Sequence, residues 1–190
     1  MESILPLPEK IVTRHGDVLE VTYQPLDLKA VEKLLSSRWA GAAVFFAGKT
    51  RDDRTIGVTR LEYEAYTTMA MKMLQTIVAR ARGTSSSAWP PSGHVVESKL
   101  HQDFNPPPNS DAIIRVVILN RLGPVLVGES SVLIGVACPH RHRAFQVAEW
   151  LLEETKRTVP IWKKEIRRAV TNHAANDDDA PSRWMPAEHA

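Results

Sequence analysis

Pro139-His-Arg-His-Arg-Ala-Phe-Gln-Val-Ala-Glu-Trp-Leu-Leu-Glu-Glu-Thr-Lys-Arg-Thr-Val-Pro160 has the features of one complete helix between two prolines. Pro139 can occupy the first turn, where its missing N–H leaves no bond unmade, and Pro160 ends or kinks the helix. At about 100° per residue, Phe145, Ala148 and Leu152 share an apolar face. The pattern therefore predicts a helix that packs on a core through one side.

Two cationic residues flank this apolar face. Arg141 lies four positions before Phe145, and Lys156 lies four positions after Leu152. A lysine held beside a core is partly desolvated, which lowers its pKa and makes the neutral amine more accessible. The alternative is a snorkelling lysine, whose stem lies on the core while its ammonium stays in water. The pattern alone leaves both interpretations open.

The rest of the chain alternates between helical and strand patterns. Helices are predicted at Leu28–Ser37, Thr67–Arg82 and Arg141–Thr158. Strands are predicted at Leu19–Tyr23, Gly41–Phe46, Arg60–Tyr66, Val95–Leu100, Ile113–Leu119 and Ser131–Ala137, with a turn at Gly123–Gly128. This mixture indicates a single α+β domain over residues 19–166, after a flexible extension at 1–18 and before a tail at 167–190.

Composition excludes several classes of protein. With 43% apolar residues among 190, a wholly disordered chain is not expected. The sequence has no run of about 18 apolar residues, so no transmembrane helix is expected. The start, Met1 to Pro6, lacks a basic and then apolar segment, so no secretory signal is predicted. The single Cys138 excludes an internal disulfide and fits a reducing compartment.

The distribution of charge is uneven although the net charge is only +2. Residues 140–168 carry eight Lys or Arg against four acids, whereas residues 169–190 carry one Arg against four acids. A basic segment followed by an acidic tail suggests an anion site. The alternative is a basic helix face that is simply solvated.

Three sequence blocks, in this order and spacing, resemble the molybdopterin synthase large-subunit family. The first is Gly41-Ala-Ala-Val-Phe-Phe-Ala-Gly-Lys-Thr-Arg51, and the second is Asn120-Arg-Leu-Gly-Pro-Val-Leu-Val-Gly-Glu129. The third combines Pro139-His-Arg-His-Arg-Ala-Phe145 with Lys156-Arg-Thr-Val-Pro-Ile-Trp-Lys163. The segments near 84–91 and 101–111 are longer than in a typical bacterial member.

The resemblance implies a fold, partners and a reaction. The fold is α+β, with a mainly antiparallel central sheet flanked by helices. Two large subunits form a central homodimer in a cytoplasmic heterotetramer, with a small ubiquitin-like subunit at each end. The small subunit's C-terminal thiocarboxylate supplies sulfur to cyclic pyranopterin monophosphate, which becomes the molybdopterin dithiolene. The large subunit needs no metal or organic cofactor.

The residue types in the matching blocks suit this chemistry. The resemblance and the need for cationic donors assign Arg51, His140 and Arg141 to anion binding. Lys156 and Lys163 are the predicted catalytic groups, because lysine can transfer protons. Phe46 and Met69 are the predicted pocket walls. Each residue has an ordinary alternative: a surface or helix-cap role for the cations, and core packing for Phe46 and Met69.

Other functions remain as alternatives. A nucleic-acid-binding module could use the basic segment, although no signature of such a module is present. A non-catalytic scaffold could keep the fold, although the presence of both Lys156 and Lys163 argues against it. Cys138 could carry a persulfide, but a small buried residue at a strand end is the preferred interpretation.

Overall fold

The computed structural model describes residues 8–52, 57–83, 112–167 and 184–186. The predicted strand Val95–Leu100 and both expected insertions lie outside the described residues. Within the described part of the chain, no helix is both long enough and apolar enough to cross a membrane.

The described residues form three helices: α1 (Leu28–Leu35), α2 (Thr67–Arg82) and α3 (Arg141–Thr158). The bounds of α2 and α3 agree with the prediction. Asp27 caps α1 by accepting a hydrogen bond from the Lys29 amide at 2.9 Å. Helix α1 ends two residues before the predicted Ser37, because Ser36 leaves the helical region at ψ 125°.

The strands in the described part of the chain form two sheets. They are β1 (Glu9–Val12), β2 (Val18–Thr22), β3 (Ala42–Lys49), β4 (Val58–Ala65), β5 (Arg115–Arg121), β6 (Gly123–Leu126), β7 (Ser130–Cys138), β8 (Ile161–Arg167) and β9 (Trp184–Pro186). The first sheet has the order β1-β2-β5-β7-β3, and the second has the order β6-β4-β8-β9. All pairs are antiparallel except β2–β5. The predicted α+β class is confirmed, with two sheets where one central sheet was expected.

Four short or unexpected strands differ from the sequence prediction. Strand β1 lies in the segment expected to be a flexible extension, and β9 lies in the expected tail. Strand β6 occupies the expected turn after Gly123, and β8 follows Pro160, where no strand was predicted. Strands of three or four residues are too short to show a period in sequence, and their backbone pairing to long neighbours holds them in place.

Helices cover both faces of the first sheet. Helix α1 packs on one face through Val31 and Leu35, and α2 and α3 pack on the other. Gly135 of β7 makes the α1 contact possible, because a Cβ there would lie 2.5 Å from Leu35 Cδ1 and 2.9 Å from Val31 Cγ1. Strands β5 and β7 are therefore buried on both sides, which explains their continuous β-branched sequences.

The buried face of α3 differs from the predicted stripe. Phe145 is 63% exposed, whereas the fully buried positions are Ala144, Val147 and Leu151. Ala148 belongs to both stripes and is also buried. Small side chains at two of these positions let the helix approach the sheet closely, which the bulkier Phe145 would prevent.

A buried carboxylate joins the first sheet to α2. Asp17 is fully buried and accepts hydrogen bonds from the Arg82 guanidinium, the Val116 amide (2.8 Å) and the Thr13 hydroxyl (3.0 Å). Arg82 also donates to the Ile113 carbonyl at 2.7 Å. The turn after β1, the start of β5 and the end of α2 therefore meet at one ion pair.

We expect Asp17→Asn to lower the free energy of unfolding by about 3 kcal/mol or more, because it leaves the buried Arg82 charge without its partner. Urea unfolding followed by circular dichroism measures the change. Glu20→Gln on β2 is the control, since Glu20 pairs with the exposed Lys10 and its loss should cost less than about 1 kcal/mol. Equal unfolding midpoints for the two variants would contradict this role of Asp17.

Candidate active site

A cavity of about 200 Å³ lies where one end of the first sheet meets the second sheet and the last turns of α3. Its apolar walls are Phe46, Leu61, Val132, Leu152, Val159 and Ile161. Its polar lining comprises Lys49, Tyr63, Asn120, Arg121, Ser131, Thr155 and Lys156. An apolar enclosure with a few polar groups is typical of a ligand site.

Gly48 keeps one side of this cavity open. Asn120, Val132 and Gly48 are cross-strand neighbours on β5, β7 and β3, so they lie in one row on the same face. A Cβ at Gly48 would lie 2.6 Å from Val132 Cγ1 and 3.3 Å from Phe46 Cε1. The absence of a side chain at this end of the row leaves room beside Phe46.

Lys163 is a buried cation next to the cavity. It lies on β8 opposite Tyr63 of β4, and only 4% of its surface is exposed. Burial lowers the pKa of its amine, and the nearby positive charges of Lys156 and Arg51 lower it further, while Glu165 opposes them. The neutral amine is therefore more accessible at Lys163 than on a surface lysine.

Four of the seven predicted site residues come together here. Phe46 and Lys156 line the cavity, and Lys156 and Arg51 are close enough to Lys163 to shift its pKa. Arg51 follows Thr50, whose buried backbone and hydroxyl bond to the loop at 125–129. These bonds fix the end of β3, next to Arg51, which lies near Lys163 but does not line the cavity.

The other three predicted residues lie elsewhere in this chain. His140 and Arg141 are exposed at the start of α3, about 22 Å along the helix from Lys156 at 1.5 Å per residue. The predicted convergence of Arg51 with His140 and Arg141 therefore does not occur within one copy. Met69 is 43% exposed on the first turn of α2 and is not among the residues that line the cavity.

Several polar residues of the cavity had no predicted role. Asn120 and Arg121 belong to the second sequence block, and Thr155 occupies the buried face of α3. A polar residue at a core position of a helix is a signal that could have revealed Thr155. Glu165 was counted only as an acid, although it faces Lys163.

Among the residues that the structure describes, neither Cys138 nor the basic segment at 140–168 forms a separate functional site. Cys138 is fully buried at the end of β7 and is not part of the cavity lining. The basic segment does not form one continuous surface, because Arg143 and Lys163 are buried. A nucleic-acid interface along that segment is therefore disfavoured.

Comparisons with known proteins identify the family of this chain. Residues 21–158 match the model of the MoaE protein family. The chain belongs to this family. It is 35% identical over 170 residues to the molybdopterin synthase catalytic subunit of Nostoc sp., covering 87% of both chains.

Solved structures of the family share the fold. A molybdopterin synthase structure from Staphylococcus aureus has a TM-score of 0.63 and 28% identity, covering 87% of this chain and 94% of that one. A complex of subunits 1 and 2 of the molybdopterin-converting factor from Helicobacter pylori has a TM-score of 0.55 and 21% identity, covering 77% and 83%.

We expect Arg51→Gln to raise the pKa of Lys163, because it removes one of the two like charges that lower it. Nuclear magnetic resonance titration of the lysine ε-carbon measures the shift. Lys164→Gln is the matched control on the same strand, since Lys164 does not contribute to the lowering, and it should leave the titration unchanged. A Lys163 pKa that stays the same or falls in Arg51→Gln would contradict the described charge cluster.

Proposed function

We propose that this chain is the catalytic subunit of a molybdopterin synthase. It transfers sulfur from the C-terminal thiocarboxylate of a small ubiquitin-like subunit to cyclic pyranopterin monophosphate, in the cytoplasm. The observation that carries the proposal is Lys163, a buried amine with a lowered pKa beside Lys156 and Arg51. Family membership supports the same reaction.

Each residue of the site suits one part of this reaction. Arg51 offers a planar guanidinium for the substrate phosphate. Lys156 and Lys163 can exchange protons with the reacting groups, and a lowered pKa brings Lys163 closer to the working pH of a general base. The apolar walls, which include Phe46 and Leu152, exclude water from the thiocarboxylate tail.

A second copy of the chain can complete the anion site. His140 and Arg141 lie at the opposite end of α3 from the cavity, where exposed backbone amides and cations favour an anion. In a twofold dimer, one surface on each copy meets the same surface on the other, so distant ends of two chains can share a site. We propose that His140 and Arg141 of one copy bind the phosphate beside Arg51 of its partner. This homodimer, with a small subunit bound to each copy, forms the heterotetramer.

Reconstitution tests the reaction and the role of Lys156. The chain, thiocarboxylated small subunit and pterin precursor should yield the dithiolene product. Lys156→Ala should reduce product formation at least about a hundredfold, the scale for losing a proton-transfer group. Lys156→Arg should also fail, because a guanidinium does not deprotonate at working pH.

Arg157→Ala is the control for these variants. Arg157 is the next residue of α3, is exposed and pairs with Glu154, so its loss should leave turnover unchanged. Near-normal turnover in Lys156→Arg would show that Lys156 contributes only its positive charge and transfers no proton.

Mixing inactive variants tests the shared site. Lys156→Ala and Arg141→Ala chains should each form little product alone. After the two are mixed and re-equilibrated, random pairing makes half of the dimers mixed, and each mixed dimer has one intact site, so about a quarter of wild-type activity should return. Absence of recovery, with mixed dimers demonstrated by mass spectrometry, would place Arg141 outside its partner's site.

A further inference from the structure

Three residues of the cavity have buried polar atoms without a hydrogen-bond partner among the described residues. The atoms are Asn120 Nδ2, Arg121 Nε and Thr155 Oγ1. Asn120 and Thr155 are each only 6% exposed. Buried polar groups in native proteins are normally paired, so three unpaired ones around one cavity point to a ligand.

The local structure explains why these atoms are unpaired. The terminal nitrogens of Arg121 are held by the Glu129 carboxylate and the Pro124 carbonyl, each at 3.0 Å, which leaves Nε free. Thr158 of α3 bonds its hydroxyl to the helix carbonyl four residues earlier, at 2.7 Å, but Thr155 makes no such bond. Asn120 lies in the row that Gly48 leaves open.

The chemistry of the three groups limits what they can bind. The Asn120 amide and Arg121 Nε are donors, and the Thr155 hydroxyl can donate too. Lys156 adds a positive charge to the same lining. A donor-rich cavity with a cation suits a ligand rich in acceptors and negatively charged, such as a carboxylate or thiocarboxylate.

The size of the cavity limits the shape of the ligand. Its volume of about 200 Å³ is below the roughly 300–1,000 Å³ typical of pockets for drug-sized molecules. The end of an extended peptide fits such a space better than a fused ring system that carries a phosphate. The size therefore favours the C-terminal tail of a protein over the pterin.

We propose that Asn120, Thr155 and Arg121 Nε form the donor set that binds the acyl oxygen of the small subunit's C-terminal thiocarboxylate. This inference rests on the proposed function and names residues within that site. The donors hold the acyl carbon beside Lys156, and they stabilise negative charge on the acyl oxygen when the carbon becomes tetrahedral.

The charge on the acyl oxygen develops when sulfur leaves the tail. The thiocarboxylate sulfur first replaces an oxygen substituent on a pterin carbon, and that oxygen leaves with the electron pair of its C–O bond. A water oxygen then adds to the acyl carbon, and the carbonyl electron pair moves onto the acyl oxygen. When that electron pair re-forms the C=O double bond, the C–S bond breaks. The tail leaves as a carboxylate, the pterin keeps the sulfur as a thiolate, and the two water protons pass to amine bases or solvent.

The test uses two variants of nearly unchanged shape, Thr155→Val and Asn120→Leu, in the reconstituted complex. Turnover should fall about a hundredfold in Asn120→Leu, the scale for losing an oxyanion donor, and about tenfold or more in Thr155→Val. The melting temperature of the free chain should rise by about 2–4 °C, because an unpaired buried polar group is removed. Lower turnover with higher stability distinguishes a ligand-binding role from a structural one.

A binding measurement identifies the group that is bound. The small subunit ending in its carboxylate should bind the wild-type chain more tightly than the same subunit without its last two residues. This difference should shrink in the Asn120→Leu, Thr155→Val double variant. Thr158→Val is the matched control on α3, because its hydroxyl is already paired within the helix, and it should leave turnover and tail affinity unchanged.

Several outcomes would overturn the inference. Full turnover in both variants would show that Asn120 and Thr155 do not donate to the acyl oxygen. A lower melting temperature in the variants would show that these side chains stabilise the fold instead. A raised KM for the pterin precursor with unchanged tail affinity would assign the donors to the pterin instead. Absence of product with the wild-type chain would refute the proposed function itself, whereas active wild type with unaffected variants would refute this inference alone.

Discussion

The buried ion pair of Asp17 and Arg82 is the interaction on which the arrangement of the first sheet and α2 depends. Both carboxylate oxygens are occupied, by the guanidinium, a backbone amide of β5 and a threonine of the turn after β1. Such a charge is tolerated inside a protein only when all its partners are present together. Three elements that are far apart in sequence therefore dock as a unit. This docking fixes α2 against the sheet, and α3 packs beside α2 on the same face.

In the candidate site, by contrast, charges of the same sign lie close together. Lys163 is buried near the positive charges of Lys156 and Arg51, which lower its pKa, while the Glu165 carboxylate opposes this lowering. In the cavity, the buried atoms Asn120 Nδ2, Arg121 Nε and Thr155 Oγ1 have no hydrogen-bond partner among the described residues. Groups of this kind destabilise the free chain and become useful when an anionic ligand arrives. The ion pair of the scaffold is thus complete within the chain, whereas the cavity contains polar atoms that a ligand can pair.

The sequence predicted the parts of the molecule that have a long, regular pattern. Helices α2 and α3 carry 16 and 18 residues, and their bounds agreed with the prediction. Strands β6 and β9 have four and three residues, and pairing with neighbours rather than their own pattern determines them. The family resemblance assigned Arg51, Lys156 and Lys163 to one site, and the structure places these three residues near one another. The predicted helix Arg141–Thr158 already separates His140 from Lys156 by its length. The sequence could not show which end of that helix lies near Arg51, because this depends on how α3 packs across the sheet.

The hydrogen bond from Arg82 to the Ile113 carbonyl has a consequence for how the family can vary. It joins the last turn of α2 to the residues just before β5, so the two ends of the connection between α2 and β5 lie next to each other. The entropy of closing a loop grows only with the logarithm of its length, so lengthening the connection between fixed ends adds little to the free energy of folding. The position between α2 and β5 is thus a natural place for evolution to add or remove sequence, and for a reporter domain to be inserted without disturbing the catalytic end of the molecule.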